Sequence, residues 1–273
     1  FSEGKDFDFI YYRCMANFSL EYGEFNINVN GHKDERIQEL MDSVNSSANQ
    51  LGPLFANDYK NLHLGLRRYD TYFDTTRLFY AQDQEGELNI YYVNLPRYND
   101  DEVTDYKREI PGLNSDFDDA YPTIHYHTLP SLYFTSNRNG DYDIFRAVSH
   151  DNRIITRTDS VLVESTENLN STKDDKCPFI SGHVMIFTSN RSGGYGGYDL
   201  YYSSFNGKDW SQPRNMGNII NTEYDEYRPV LINTSKEGEF QNDLLIFSSN
   251  RPGGKGGYDL YYAGTRILVE PNE

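Results

Sequence analysis

The sequence predicts an all-β fold, a β-propeller, with five blades of about four antiparallel strands each. Three observations carry this reading: a fourteen-residue phrase written twice, a second signature that precedes it, and a composition suited to sheet. "SNRSGGYGGYDLYY" at 189–202 returns as "SNRPGGKGGYDLYY" at 249–262 with two letters changed. A catalytic constellation is needed once, whereas a repeated phrase belongs to architecture. The 273 residues include 24 Tyr, 16 Phe, 21 Gly and 10 Pro, an aromatic and turn-rich balance that favours sheet over disorder.

Weaker copies of the phrase stand at 132–147 ("LYFTSNRNGDYDIFRA") and 78–93 ("LFYAQDQEGELNIYYV"). In all four, an apolar strand runs into a Gly-containing turn and then an aromatic strand, the pattern of a β-hairpin. The second signature reads apolar, Asn, Ser or Thr, an acid or amide pair, then Pro. Its copies are "VNSSANQLGP", "LNSDFDDAYP", "LNSTKDDKCP" and "INTEYDEYRP", with prolines at 53, 122, 178 and 229. Two independent signatures recurring in one order define units of about 44–112, 113–168, 169–219 and 220–265. Each supplies a strand after the Pro, a strand ending at the Ser-Asn-Arg, a strand at the Tyr-Asp, and a variable outer stretch such as "GKDWSQPRNMGNI". That is one propeller blade.

The remaining ends are assigned to a composite closing blade, residues 1–43 plus 266–273, so that 1–273 forms one domain. "FDFIYYRC" and "EFNINV" read as strands there, and "HKDERIQELMD" at 32–42 as a short helix with Ile37, Leu40 and Met41 on one face. Residues 55–75 are an insertion in the first unit. They set Lys60, Arg67, Arg68 and Tyr69 in an otherwise acidic chain, a candidate recognition loop.

The net charge of −17 argues against nucleic acid or an anionic membrane surface as partner. No apolar run approaches the ~20 residues of a membrane helix. Cys14 and Cys177 are read as a pair only if the fold brings them together.

The recurrent polar residues have a structural and a functional reading. Arg138, Arg191 and Arg251 recur with Asp143, Asp199 and Asp259 across the turn, which suggests an Arg–Asp pair closing each hairpin. The glycines at 193–197 and 253–257 supply backbone angles barred to side chains, and with no helix following they do not form a phosphate cradle. The first acids of the pairs, Asp118, Asp174 and Asp225, are expected to cap their turns. The second acids, Asp119, Asp175 and Glu226, are expected to gather at one mouth of the central channel as an acidic site for a partner. "NRNGDYD" and "DQEGELN" echo a calcium loop without its distant Glu. His125 and His127 lack a third zinc ligand in view. No metal or other cofactor is assigned.

"W…P.N.G..INT..DE..P" followed by "FSSNRPGGKGGYDLYY" resembles the TolB-type, WD40-like propeller repeat of bacterial cell envelopes. The resemblance is most complete over 169–265 and fades toward 44. It implies a non-catalytic, exported protein, either periplasmic or associated with the outer membrane, in the second case through a lipid anchor that would lie outside this sequence. The expected function is therefore a binding scaffold presenting a propeller face to a protein partner. The alternative is a five-bladed glycoside hydrolase or a glycan-binding protein. A hydrolase needs two carboxylates in different environments, and the inner-strand candidates hold one acid, Asp58. A glycan binder would use tyrosines as stacking platforms.

Overall fold

The computed structural model describes residues 13–19, 24–30, 40–42, 44, 45, 48–57, 76–94, 107–126, 130–149, 160–232 and 242–266. Each of the four sequence units folds into one antiparallel sheet. The first blade is β3 (Gln50–Asn57), β4 (Thr76–Gln84), β5 (Glu87–Asn94) and β6 (Arg108–Glu109). The second is β7 (Asp119–His125), β8 (Ser131–Ser136), β9 (Asp143–Ser149) and β10 (Val161–Ser165). The third is β11 (Asp175–Ser181), β12 (Val184–Ser189), β13 (Asp199–Ser204) and β14 (Arg214–Asn215). The fourth holds β15 (Glu226–Ile232), β16 (Asp243–Ser249) and β17 (Asp259–Thr265). Strand β7 touches both β3 and β11, and β11 touches β15, so the first strands of successive blades stand side by side around the axis. This is a β-propeller.

Local chemistry explains the strands. The β4–β5 hairpin turns on Glu85 and Gly86, at φ 59° and 101°, the left-handed pair that matches strand twist. Strands β8 and β12 are buried at every position because blades lie on both faces. Three inter-blade cores result. Phe79 and Tyr92 meet Leu132 and Phe134 between blades one and two. Tyr133 and Ile144 meet Met185, Phe187 and Trp210 between two and three. Ile186 and Leu200 meet Leu231, Leu245 and Phe247 between three and four.

Five blades were expected; the described residues form four. The outer face of the first blade (Leu78, Tyr80, Tyr91, Val93) is covered by Leu40, Met41 and Val44 of a helical stretch, where a fifth sheet would pack. The N-terminal strands β1 (Arg13–Ser19) and β2 (Glu24–Asn30) pair with each other as a two-stranded sheet. Residues 267–273, assigned to the closing blade, lie outside the described residues. So does the recognition-loop candidate with Lys60, Arg67, Arg68 and Tyr69, along with Asp58 and His127. Among the described residues, no helix is long and apolar enough to cross a membrane.

Candidate functional site

The repeated polar residues join blade to blade. The signature Asn reaches back to the third strand of the preceding blade. There its amide exchanges both hydrogen bonds with one backbone unit: Asn114 with Ile90 at 2.9 and 3.0 Å. Asn170 does the same with Ile144, and Asn221 with Leu200. Only a side chain carrying donor and acceptor at this reach satisfies both backbone groups.

The second acids are not at an exposed mouth. Asp119, Asp175 and Glu226 are each 0% exposed. The Ser115 amide and the Arg138 guanidinium both donate to Asp119 at 2.6 Å. Ser171 and Arg191 hold Asp175 in the same way, and Thr222 and Arg251 hold Glu226. The expected arginine–aspartate pairing is corrected accordingly. Each Arg bonds the second acid, a carbonyl of the signature turn (Leu113, Leu169 or Ile220) and the Ser two residues earlier. Asp199 instead caps the glycine loop, accepting from the amides of Tyr195 at 2.7 Å and Gly196 at 3.1 Å. Asp259 accepts from Lys255 and Gly256 in the same manner. Asp143 stands on a shorter turn, and burial, followed by Asp175 and Asp141, pushes its pKa up to about 6.

The first acids form a belt with tyrosines. Asp118 accepts from the Leu88 amide of the first blade and from the Tyr142 hydroxyl of its own. Asp174 accepts from the Tyr142 amide at 3.3 Å and the Tyr198 hydroxyl at 2.5 Å. Asp225 accepts from the Tyr198 amide and the Tyr258 hydroxyl, both at 2.9 Å. Tyr142 and Tyr198 thus each staple two successive turns. Burial and then the Asp174 carboxylate push the Tyr198 phenol above its usual value. Burial works to raise Asp174, but Tyr198 and Lys176 outweigh it and hold the carboxyl low. These groups are structural joints, already saturated with partners.

An open site lies elsewhere, between the second and third blades. A cavity of about 580 Å³ is lined by His125, Tyr133, Arg146, Glu164, Glu167, Phe205, Lys208, Asp209 and Trp210, among others. The loop "FNGKDW" builds its floor. Phe205 and Trp210 bridge, Gly207 takes φ 96°, and the Asn206 carboxamide oxygen accepts from the Lys208 and Asp209 amides. This sets the two rings 5.2 Å apart. His125 packs against them at 4.6 and 5.0 Å. The indole donates to the Tyr133 hydroxyl at 3.0 Å. Burial raises the pKa of that phenol, and the indole bond partly offsets the shift. On the wall, Arg146 donates to Ser131 Oγ at 3.0 and 3.2 Å and reaches Glu164 at 3.9 Å.

Sequence reasoning passed over this site. The signal was present: the chain's one Trp lies in a variable outer stretch rather than in the repeat. His125, considered for zinc, belongs to this aromatic floor. Among the described residues, no group of three His, Cys, Asp or Glu is placed to hold a metal. Asp83, of the loop compared with a calcium site, accepts from the Gly86 amide at 3.0 Å as a turn cap.

The molecule is by class a β-propeller with a polar-walled, aromatic-floored cavity between two blades. No family model matches the chain, and no curated protein matches it. Among solved structures it is similar to a thermostable family-43 glycoside hydrolase at 13% identity and TM-score 0.45, over 72% of this chain and 70% of that one. An α-L-arabinofuranosidase from Podospora anserina, solved with cellotriose, matches at 14% and 0.43, over 69% and 60%. The catalytic domain of a Coprinopsis cinerea family-62 α-L-arabinofuranosidase matches at 13% and 0.40, over 70% and 61%. Likeness at this level does not extend to sites or activity.

Proposed function

We propose that this protein binds a glycan, without cleaving it, in the cavity between its second and third blades. The observation that carries the proposal is the lining itself. A sugar ring offers apolar C–H faces and a rim of hydroxyls that both donate and accept. The Phe205–Trp210 floor suits the first, and the mixed wall of Arg146, Glu164, Glu167, Lys208 and Asp209 suits the second. The volume, about 580 Å³, falls within the usual range for small-ligand sites. The scaffold reading, which followed from the repeat resemblance, placed its protein partner at Asp119, Asp175 and Glu226, and buried, Arg-paired carboxylates offer such a partner nothing. A cell-envelope setting rests on the resemblance of the repeat phrase, and there a glycan ligand is at hand.

Calorimetric titration with arabinose-, glucose- and N-acetylglucosamine-based oligosaccharides tests the proposal. One class should bind saturably, and Phe205→Ala and Arg146→Gln should each abolish binding with the melting temperature retained. Reducing-end release is followed in the same samples. Turnover would replace the binding reading with a glycosidase one, with Glu164 and Glu167 as the carboxylates at hand.

We infer in addition that a fifth sheet completes the ring over the outer face of the fourth blade. On that face Val230, Ile232, Tyr262 and Leu260 are 38, 44, 65 and 79% exposed, whereas in the third blade Leu200, the counterpart of Leu260, is 0% exposed, and Phe179 and Tyr202, the counterparts of Val230 and Tyr262, pack into the core shared with the next blade. The β1–β2 register pairs Cys14, Ala16 and Phe18 with Val29, Ile27 and Phe25, apolar residues at alternate positions of both strands. A hairpin of that pattern suits the uncovered face.

A further inference from the structure

In all four blades the innermost strand bulges just before its proline, and the residue there sits in the left-handed region. These residues are Gly52, Tyr121, Cys177 and Arg228, at φ 59°, 54°, 52° and 51°. Register shifts between Leu51 and Leu54, Ala120 and Thr123, Lys176 and Phe179, and Tyr227 and Val230 mark the bulges. A residue before proline normally prefers extended backbone, and a side chain at positive φ is strained. Glycine relieves that strain only in the first blade; the other three keep side chains.

The bulges aim those side chains toward one another across the axis. The Arg228 guanidinium of the fourth blade donates to the Tyr121 hydroxyl of the second at 2.8 Å. It lies 5.2 Å from the Tyr121 ring centre and 5.8 Å from that of Tyr227. Cys177 of the third blade sits between them as a buried thiol. Glycine leaves room on the far side, since a Cβ at Gly52 would stand 2.9 Å from Tyr121 Cα.

Arg228 differs from the recurrent arginines of the blade corners. Arg138, Arg191 and Arg251 each have a carboxylate within 2.8 Å. Arg228 is exposed, and among the described residues it has no carboxylate at ion-pair distance. One of its five N–H groups engages the phenol, and the phenol keeps its own proton to donate. In a chain of net charge −17, such a guanidinium, held by strained backbone, is a built anion receptor.

We propose that the propeller axis carries a site for one planar or tetrahedral oxyanion, a carboxylate or phosphate group, taken bidentate by Arg228 with a further hydrogen bond from Tyr121. The site shares no residue with the inter-blade cavity and stands independently of the glycan reading. Melting temperature and calorimetry are followed with inorganic phosphate and with glucuronate, against chloride at matched ionic strength. A saturable rise with phosphate alone assigns a phosphate-bearing ligand, with glucuronate alone a carboxylate, and with both any oxyanion of this size. Arg228→Gly should fold with an unchanged or higher melting temperature, because glycine suits φ 51°, and should lose the response. Tyr121→Phe should weaken binding about tenfold, the loss of one charge-assisted hydrogen bond. No saturable response beyond chloride in the unmodified protein, or an undiminished response in Arg228→Gly, would overturn the proposal.

Discussion

Replacing Gly196 by alanine puts a methyl group into the seam between the third and fourth blades. Its Cβ would stand 2.4 Å from the Tyr224 carbonyl oxygen and 2.5 Å from that of Thr222. Those atoms belong to a turn fixed by Glu226, Arg251 and Asn250, so it cannot move aside cheaply. Overpacking of this kind costs about 1–3 kcal/mol. The lower entropy of the unfolded alanine chain returns about 0.4–1 kcal/mol. The net expectation is a loss of about 1–2 kcal/mol. Gly256 holds the same place in the fourth blade, where, among the described residues, the nearest atom to an added Cβ is Tyr258 O at 3.9 Å. No copy of the acidic turn occurs in residues 1–43 to fill that space. Gly256→Ala should therefore be neutral or stabilising by up to about 1 kcal/mol. Urea unfolding at constant m-value reads both. Equal effects at the two glycines would refute the argument that Gly196 serves the approach of the next blade.

Three further outcomes follow from the joints. Arg191→Met leaves the fully buried Asp175 without its counter-ion and should cost about 3–5 kcal/mol in urea unfolding, with part recovered by adding Asp175→Asn. Burial, then the Asp225 carboxylate, raises the Tyr258 phenol to about 12, so the folded chain keeps a proton that the unfolded chain releases from about pH 10. Stability should fall as pH rises through that window, and Tyr258→Phe should flatten the fall in alkaline melting curves. Asp143, raised to about 6, binds its proton more tightly folded than unfolded, so stability should decline between about pH 4 and 6 as pH rises. Asp143→Asn should remove that slope and raise the melting temperature at pH 7.

The blade units were legible because Asn, Gly and Pro each fill a place that few other residues can. Asn114, Asn170 and Asn221 recur where only a two-way amide fits, and Pro122, Pro178 and Pro229 follow the bulges. Partner choice was not legible. Arg138 lies five residues from Asp143 and nineteen from Asp119, yet the chain folds it onto Asp119. The second acids looked free because sequence does not show that the turn's own Ser or Thr and the Arg after the next strand fold onto them. The cavity escaped for a related reason: Trp210 and Tyr133 are 77 residues apart and meet only when two blades stack. The closing blade was the least legible, since the N-terminal segment carries neither repeat signature.

The most direct measurement uses the chain's single tryptophan, which forms the cavity floor. Titration of the oligosaccharide that binds by calorimetry should change Trp210 emission saturably, with the same dissociation constant, and Phe205→Ala should abolish both signals. Calorimetric binding that leaves Trp210 emission unchanged would place the glycan elsewhere and contradict the account.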